Sequence, residues 1–425
     1  MKTSSLFLVA LLLPLGSPMA RAGDSAAAGG IRTLDDAIAA GLAENPGLHA
    51  AWSEYHAALE RIPQAKALPD PRVMVNHFVE DIETRTGPQR NQVWVTQMIP
   101  WFGKQRLRGE IASREAEAIH HAYEAKVLAL TRDIALAWHD YAYLGESTAI
   151  TRRVVGLLER LGDTVREKVR GGNDLAPLLR LEVEIARTRD LLQQLEKQRL
   201  AESAAIDALL GRRSSEPLPW PEPEETGDSE RPDRDALLAD LLTRNPELGA
   251  LRSRVEKAAE AVKLSRKSPI PDPMIGAGFF DTGEAFHPGT AGGGDDPWAI
   301  QVGFSIPLWP GKYRAERREA ESNREAAEHA REDRENLLVE ELEADLQTLA
   351  EIDERLALYE KTLLPKARQA VEVTESSYKG DRATVLELID SERTLLEIER
   401  AHRRAVADRA KALVRLQTLT GETLP

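Results

Sequence analysis

The chain repeats itself once, over about 200 residues, and this feature limits its possible folds more than any other. Asn45-Pro46-x-Leu48 returns as Asn245-Pro246-x-Leu248, and Asp70-Pro71 returns as Asp272-Pro273. Ile99-Pro100-Trp101-Phe102-Gly103-Lys104 returns as Ile306-Pro307-Leu308-Trp309-Pro310-Gly311-Lys312. Arg170-Gly171 corresponds to Lys379-Gly380, and Leu210-Gly211 to Thr420-Gly421. The matches keep their order while the offset grows slowly from 200 to 210, as a duplication requires. The fold must therefore serve as two copies of one unit. The first copy is expected over 23–211 and the second over 233–425. Between them, 212–232 holds five prolines and several acids and is expected to be a linker.

Residues 1–22 carry Lys2, an apolar run from Leu6 to Leu15 and Ala20-Arg21-Ala22. A positive start, an apolar core and a small-residue cleavage site are the marks of a secretory signal peptide. The run is too short to cross ~30 Å of hydrocarbon as a helix. Its removal takes away Lys2 and Arg21 and moves the net charge from −14 to −16. An acidic chain repels a phosphate backbone, which argues against nucleic acid as a partner. Zero cysteines exclude a thiol nucleophile, Cys-ligated zinc or iron–sulfur, and a lipidated N-terminal Cys. An exported chain without a second apolar run is either soluble or a membrane β-barrel, whose signal per strand is weak.

Each copy has the same predicted plan. A short helix, Thr33 to Glu44 in the first copy, is capped by Thr33 or Asp35 and ends at Asn45-Pro46. A second helix runs from Pro46 to Ala67, two strands follow, and a proline-free helix runs from Lys104 to Arg170. The Gly171–Asp174 turn precedes a last helix to Leu210. That helix carries heptad-like apolar positions at Leu178, Leu181, Ile185, Leu192 and Leu195, interrupted by Thr188, Arg199 and Glu202. The long helix spans ~100 Å at ~1.5 Å per residue, and the two shorter ones stacked end to end approach that length. Gly156 aligns with Pro365, so a kink is expected at the same height in both copies.

The expected strands are 71–79, 91–98, 274–280 and 298–305. In the fourth, Trp298, Ile300, Val302 and Phe304 share one face, which makes them the candidate lipid-facing residues. Four strands cannot close a barrel in one chain. Two chains supply eight strands and three supply twelve. The fold class is thus mainly α with a small β part: duplicated long-helix hairpins carrying four strands toward a shared barrel.

The paired Asn-Pro-x-Leu motifs, the Ile-Pro…Gly-Lys motifs, Tyr378-Lys379-Gly380 and the glycines at 211 and 421 resemble the TolC family of outer-membrane efflux channels. The resemblance spans the whole chain after the signal segment. It implies a homotrimer with a 12-stranded barrel in outer-membrane lipid and a long periplasmic α-barrel. It also implies a periplasmic adaptor and an inner-membrane pump of RND type as partners, in a Gram-negative bacterium. Gln97 to Lys104 and Asp272-Pro273-Met274 are most similar to the branch that serves heavy-metal pumps. No enzyme activity and no cofactor are implied.

The resemblance also assigns candidate residues. Glu387 and Asp390, at i,i+3 on one helix face, are the periplasmic gate candidates, where threefold repetition would favour cations and raise carboxylate pKa values. Solvated surface charge is the competing reading. Gly171, Gly172, Asn173, Gly380 and Asp381 are the adaptor-docking tips. Pro100, Gly103, Pro307 and Gly311 form the strand-to-helix motifs.

Other constellations are weak. Adjacent His120 and His121 are ~100° apart on a helix and are expected not to chelate one ion. His49 and His56 share a face and suit packing, as His139-Asp140 does. Met74, His77, Met274 and His287 could meet a soft metal but suit interior barrel lining or loop placement better. Gly276-x-Gly278 is too short for a dinucleotide fingerprint, and Pro310-Gly311-Lys312 lacks the upstream glycine of a phosphate loop. Gly292–Asp296 is expected to be a surface loop. The competing function is a soluble periplasmic coiled-coil adaptor or scaffold; a periplasmic hydrolase is disfavoured by the absence of a nucleophile–base pair.

Overall fold

The computed structural model describes residues 31–172, 174–213, 216–222 and 232–422. The signal segment 1–22, Asn173 and part of the 212–232 linker lie outside the described residues. The first copy comprises α1 (Leu34–Glu44), α2 (Pro46–Lys66), β1 (Arg72–Ile82), β2 (Gln89–Met98), α3 (Lys104–Arg170) and α4 (Ala176–Leu209). The second repeats it with α5 (Arg234–Arg244), α6 (Pro246–Lys267), β3 (Pro273–Thr282), β4 (Trp298–Phe304), α7 (Pro310–Leu358), α8 (Leu364–Lys379) and α9 (Val385–Leu419).

The repeated motifs have local reasons. Thr33 and Asp36 form a capping box at the start of α1. Asn45 caps α2, accepting from the Leu48 N–H at 3.0 Å, while its amide donates to the Leu209 carbonyl at 2.8 Å. Asn245 does the same in the second copy, accepting from Leu248 and donating to the Leu419 carbonyl at 2.9 Å. One side chain thus joins the start of α2 to the end of α4, and its repeat joins α6 to α9. The two shorter helices therefore stack end to end along the long one, as their lengths predict. Gly211 and Gly421 make this junction possible, with φ of +73° and +85°. A Cβ at Gly211 would lie 2.6 Å from the Glu44 carbonyl oxygen, and one at Gly421 2.9 Å from that of Arg244.

At the height of the expected symmetric kink, only the second copy interrupts its long helix. α3 runs unbroken through Gly156. In the second copy a π turn, Tyr359–Leu363, sits immediately before Pro365 and separates α7 from α8. Glycine keeps its N–H and costs a helix only ~1 kcal/mol, whereas proline removes a donor and forces the register to change.

The strands form one antiparallel sheet in the order β1-β2-β3-β4. Its centre, β2 against β3, joins the two copies, and β1 and β4 are left as edges. Three clusters hold the helices. One belongs to each copy, and a third joins Val154, Leu158 and Leu181 of the first to Tyr378, Leu388 and Leu396 of the second.

Two interruptions of the α4 seam are satisfied rather than exposed. Thr188 is buried and donates to the Glu184 carbonyl at 2.8 Å. Arg199 donates to the Tyr141 hydroxyl and the Leu218 carbonyl and lies over the Trp220 ring. Part of the expected linker is packed, with Leu218 buried and Trp220 half-buried. Tyr141 donates to the Leu218 carbonyl at 2.6 Å and stacks on Trp220, so this stretch packs on the helices.

Candidate functional site

The register of the sheet turns scattered apolar residues into rows. Val73, Val95, Ala277 and Ile300 lie side by side across the four strands, and so do Val75, Val93, Phe279 and Trp298. Ile275 beside Val302 and Pro273 beside Phe304 extend the same face. Because alternate residues share a face, this is one continuous apolar surface, and it is bare: Ile300 is 88% exposed. Trp298, Val302 and Phe304 are exposed with it.

The next row on that face is polar. His77 Nδ1 lies 2.8 Å from the Asn91 side-chain oxygen, and the Asn91 amide donates to Asp281 at 2.6 Å. His77 therefore marks the end of the apolar band. It lies on the opposite face from Met74 and Met274, while His287 lies in the 283–297 loop, so these four do not assemble as metal ligands. At the other end of the band, Phe102 is 84% exposed and Trp309 75%, with Ile306 and Leu308 also exposed. Aromatic residues thus flank the elbow end of the band. Gly278 leaves room for the Trp94 ring on the other face.

The strand-to-helix motifs are tight elbows. The Lys104 N–H donates to the Trp101 carbonyl at 3.0 Å and the Lys312 N–H to the Trp309 carbonyl at 3.1 Å. Gly103 takes φ +83° to start α3, whereas Gly311 lies inside the first turn of α7 behind Pro310. The first elbow is locked to the other copy. Lys104 Nζ reaches Asp272 at 2.8 Å and the Ile270 carbonyl at 2.6 Å, and the Trp101 N–H donates to Asp272 at 2.7 Å. Desolvation pushes the Asp272 carboxyl up, but the bonds from Lys104 and Trp101 outweigh it and hold the group below the usual carboxylate range.

At the far end the hairpin tips meet. Lys168 pairs with Asp381 at 3.1 Å and lies over the Tyr378 ring. Gly172 and Asp381 carry positive φ, +101° and +54°. Beside these tips Leu175, the N-cap of α4, and Leu179 and Val183 on α4 stand exposed at spacings of four. Sequence reasoning singled out the glycines and missed this apolar ladder.

The gate candidates differ from each other. Glu387 and Asp390 are both exposed on α9. Glu387 completes a capping box: its carboxylate accepts from the Thr384 N–H at 2.7 Å and the hydroxyl at 3.0 Å. These bonds hold its pKa below the usual carboxylate range in the single protomer. On the same helix, the Glu392 carboxyl is pushed up, first by burial and then by Glu375 and Glu399. Its position on the buried face of α9 could be read from the heptad spacing, but not its acidic neighbours.

The histidines bring one correction. Ligand atoms of His120, His121 and Glu124 lie within 4.8 Å of one another, because Glu124 stands one turn beyond both rings and draws them together. His121 Nδ1 is 2.8 Å from Glu124, and the His120 ring packs on Tyr55. His49 reaches the Ala43 carbonyl and His56 packs on Trp52, as structural roles require. His139 is pushed down to about 4, mainly by burial, with Asp140 opposing and Lys411 adding to the shift.

Residues 237–422 match the family model for outer membrane efflux protein. No curated protein matches the sequence. Solved structures match nearly the whole chain. The CusC transmembrane channel is 16% identical with a TM-score of 0.77, over 92% of each chain. The open-state MtrE outer membrane channel of Neisseria gonorrhoeae is 20% identical with a TM-score of 0.75, over 92% of this chain and 89% of that one. The outer membrane protein VceC of Vibrio cholerae is 18% identical with a TM-score of 0.73, over 92% and 96%. The chain shares the fold of these solved channel protomers: mainly long helices with one small four-stranded sheet.

Proposed function

We propose that this chain is one protomer of a passive outer-membrane efflux channel. One observation carries the reading above the others: a four-stranded sheet with two bare edges, a continuous apolar face and helices of ~100 Å beneath it. In hydrocarbon a sheet must close so that every edge group is paired. Three copies close twelve strands, with the apolar face toward lipid and the helices forming a periplasmic tube. A soluble adaptor or scaffold would leave Ile300 and Phe102 in water, which disfavours that reading.

The partners in this reading are a periplasmic adaptor and an RND-type inner-membrane pump, and the pump supplies the energy. The adaptor docks at Gly171, Gly172, Asn173, Gly380 and Asp381, with Leu175, Leu179 and Val183 as the apolar part of the contact. The substrate class is heavy-metal cations, supported by the similarity at Gln97–Lys104 and at 272–274. A deletion strain challenged with copper, silver, zinc, cobalt and cadmium salts tests this; unchanged tolerance to all five overturns the substrate.

Purification tests the channel itself. The expected product is a detergent-dependent trimer that conducts ions in planar bilayers, and a soluble monomer in osmotic-shock fluid overturns the reading. Glu387 and Asp390 form the constriction. Glu387→Gln with Asp390→Asn keeps the capping box, since glutamine serves at that position too. The pair should raise conductance and weaken cation preference; unchanged values reject the gate assignment.

A further inference from the structure

The two elbows carry the same motif, but only one of them has a partner. At the first, Lys104 is buried between the Asp272 carboxylate and the Ile270 carbonyl, both supplied by the other copy of the repeat. The second elbow presents Lys312 with the same Gly-Lys pair and the same bond from its N–H to the carbonyl three residues back. Yet Lys312 is exposed and only lies over the Tyr313 ring. Asp70, the repeat of Asp272, is exposed too, and among the described residues neither it nor Lys312 has an ion-pair partner. Leu68 precedes Asp70 by two residues, as Ile270 precedes Asp272.

The helices above the elbows show the same difference. α3 is packed by α2 and by α6, and it buries Lys104, Leu107, Gly109 and Ala116 near its start. α7 packs on α6 and buries no residue before Leu338. β4 and β1 are the two edges of the sheet. Within one protomer Lys312 lies beside the β4 edge and Asp70 beside the β1 edge, so the sheet separates them. The missing partner of the second elbow is the feature that the first copy of the repeat leaves unused.

We propose that a second copy of this chain fills that place: Lys312 of one copy donates to the Asp70 carboxylate and the Leu68 carbonyl of the next. The Trp309 N–H donates to the same carboxylate, and β4 pairs with β1 across the joint. The joint inside the chain and the joint between chains are then one design used twice, so a ring of like ion pairs runs around the base of the barrel. The unmatched lysine and aspartate also supply opposite charges at the two faces that meet. This inference rests on the channel reading and adds the residues that set the register between copies.

The full chain has no cysteine, so introduced thiols report without background. Asp70→Cys with Lys312→Cys should crosslink between chains through a short bismaleimide and give dimers and trimers on a denaturing gel. Asp70→Lys and Lys312→Asp should each shorten the half-life of the detergent-solubilised oligomer about 100-fold, and the double reversal should restore most of it. Lys312→Met is the milder variant, with a shorter half-life than the parent expected. Should a single reversal fail to assemble, assembly of the double reversal supports the pair and its failure overturns it. An oligomer indifferent to both single reversals, or one that yields no crosslink, overturns the pair and leaves the channel standing. A parent chain that is monomeric in mild detergent overturns the channel reading and the pair together.

Discussion

The first turns of α3 and α7 bear the same Gly-Lys motif and occupy opposite environments. α3 begins buried, with Lys104 held in an ion pair whose lysine side chain is 6% exposed. α7 begins in solvent and stays there for most of its first half. Duplication copied the residues, but one chain can surround only one of the two copies. The bare copy therefore describes the missing neighbour. By contrast, the junctions at Asn45 and Asn245 lie wholly inside their own copies, and there the two halves are alike to within a few tenths of an ångström.

This contrast can be broken by experiment. The largest effect is expected for Lys104→Met, which leaves Asp272 without its buried partner. Urea titration of the unassembled chain should show a loss of about 3 kcal/mol, against less than about 0.5 kcal/mol for Lys312→Met. Equal losses would mean that the two elbows are not different in the free chain. The Asp272 contribution has a definite pH sign. Its folded pKa lies below its unfolded one, so the stability it adds is present above the unfolded value and is lost as pH falls through the folded value.

Next come Gly211→Ala and Gly421→Ala. Each adds a Cβ at positive φ against a backbone carbonyl and should cost about 2 kcal/mol. Because both junctions are complete within the chain, the two losses should match, and a twofold difference would contradict the equivalence of the junctions.

A smaller effect separates the halves near the tips. α4 buries Leu178, Leu181, Ile185 and Thr188 there, whereas α9 buries a carboxylate, Glu392, beside Val385, Leu388 and Ile389. The Glu392 pKa is raised in the fold, so its charged form opposes folding at neutral pH and the penalty fades as pH falls through the folded value. Glu392→Gln should raise Tm at pH 7 by roughly 2–4 °C and by less in acid; a gain that is constant with pH would refute the cause. The smallest effect belongs to Gly156→Ala. Its Cβ would meet only the end of the Arg160 side chain at 3.6 Å, so the helix should gain about 0.5–1 kcal/mol. A loss would mean that α3 needs a joint at that height after all.

Much of the fold was legible because it is written in local terms. Asn-Pro before a leucine is a cap and a helix start wherever it occurs. Alternation at Trp298, Ile300, Val302 and Phe304 marks a strand face without knowledge of its neighbours. The π turn before Pro365 follows from a missing N–H. The candidate sites were less legible because their partners come from far along the chain. Asp272 lies 168 residues from Lys104, and Asp281 lies 190 from Asn91. Spacing marks Glu387 as an acid on one face of α9, but its bond to Thr384 makes it a cap as well. The helical angle alone keeps His120 and His121 apart, and Glu124 supplies the convergence.

The sequence by itself determined the duplication, the order of elements, the long proline-free helix and the parity of the strands, since all of these depend on residues within a few positions of one another. Only the tertiary structure decided which face of the sheet is continuous, which elbow is closed and which carboxyls are pushed up. Those properties arise from register across strands, from burial and from the charges that distant segments bring within a few ångströms.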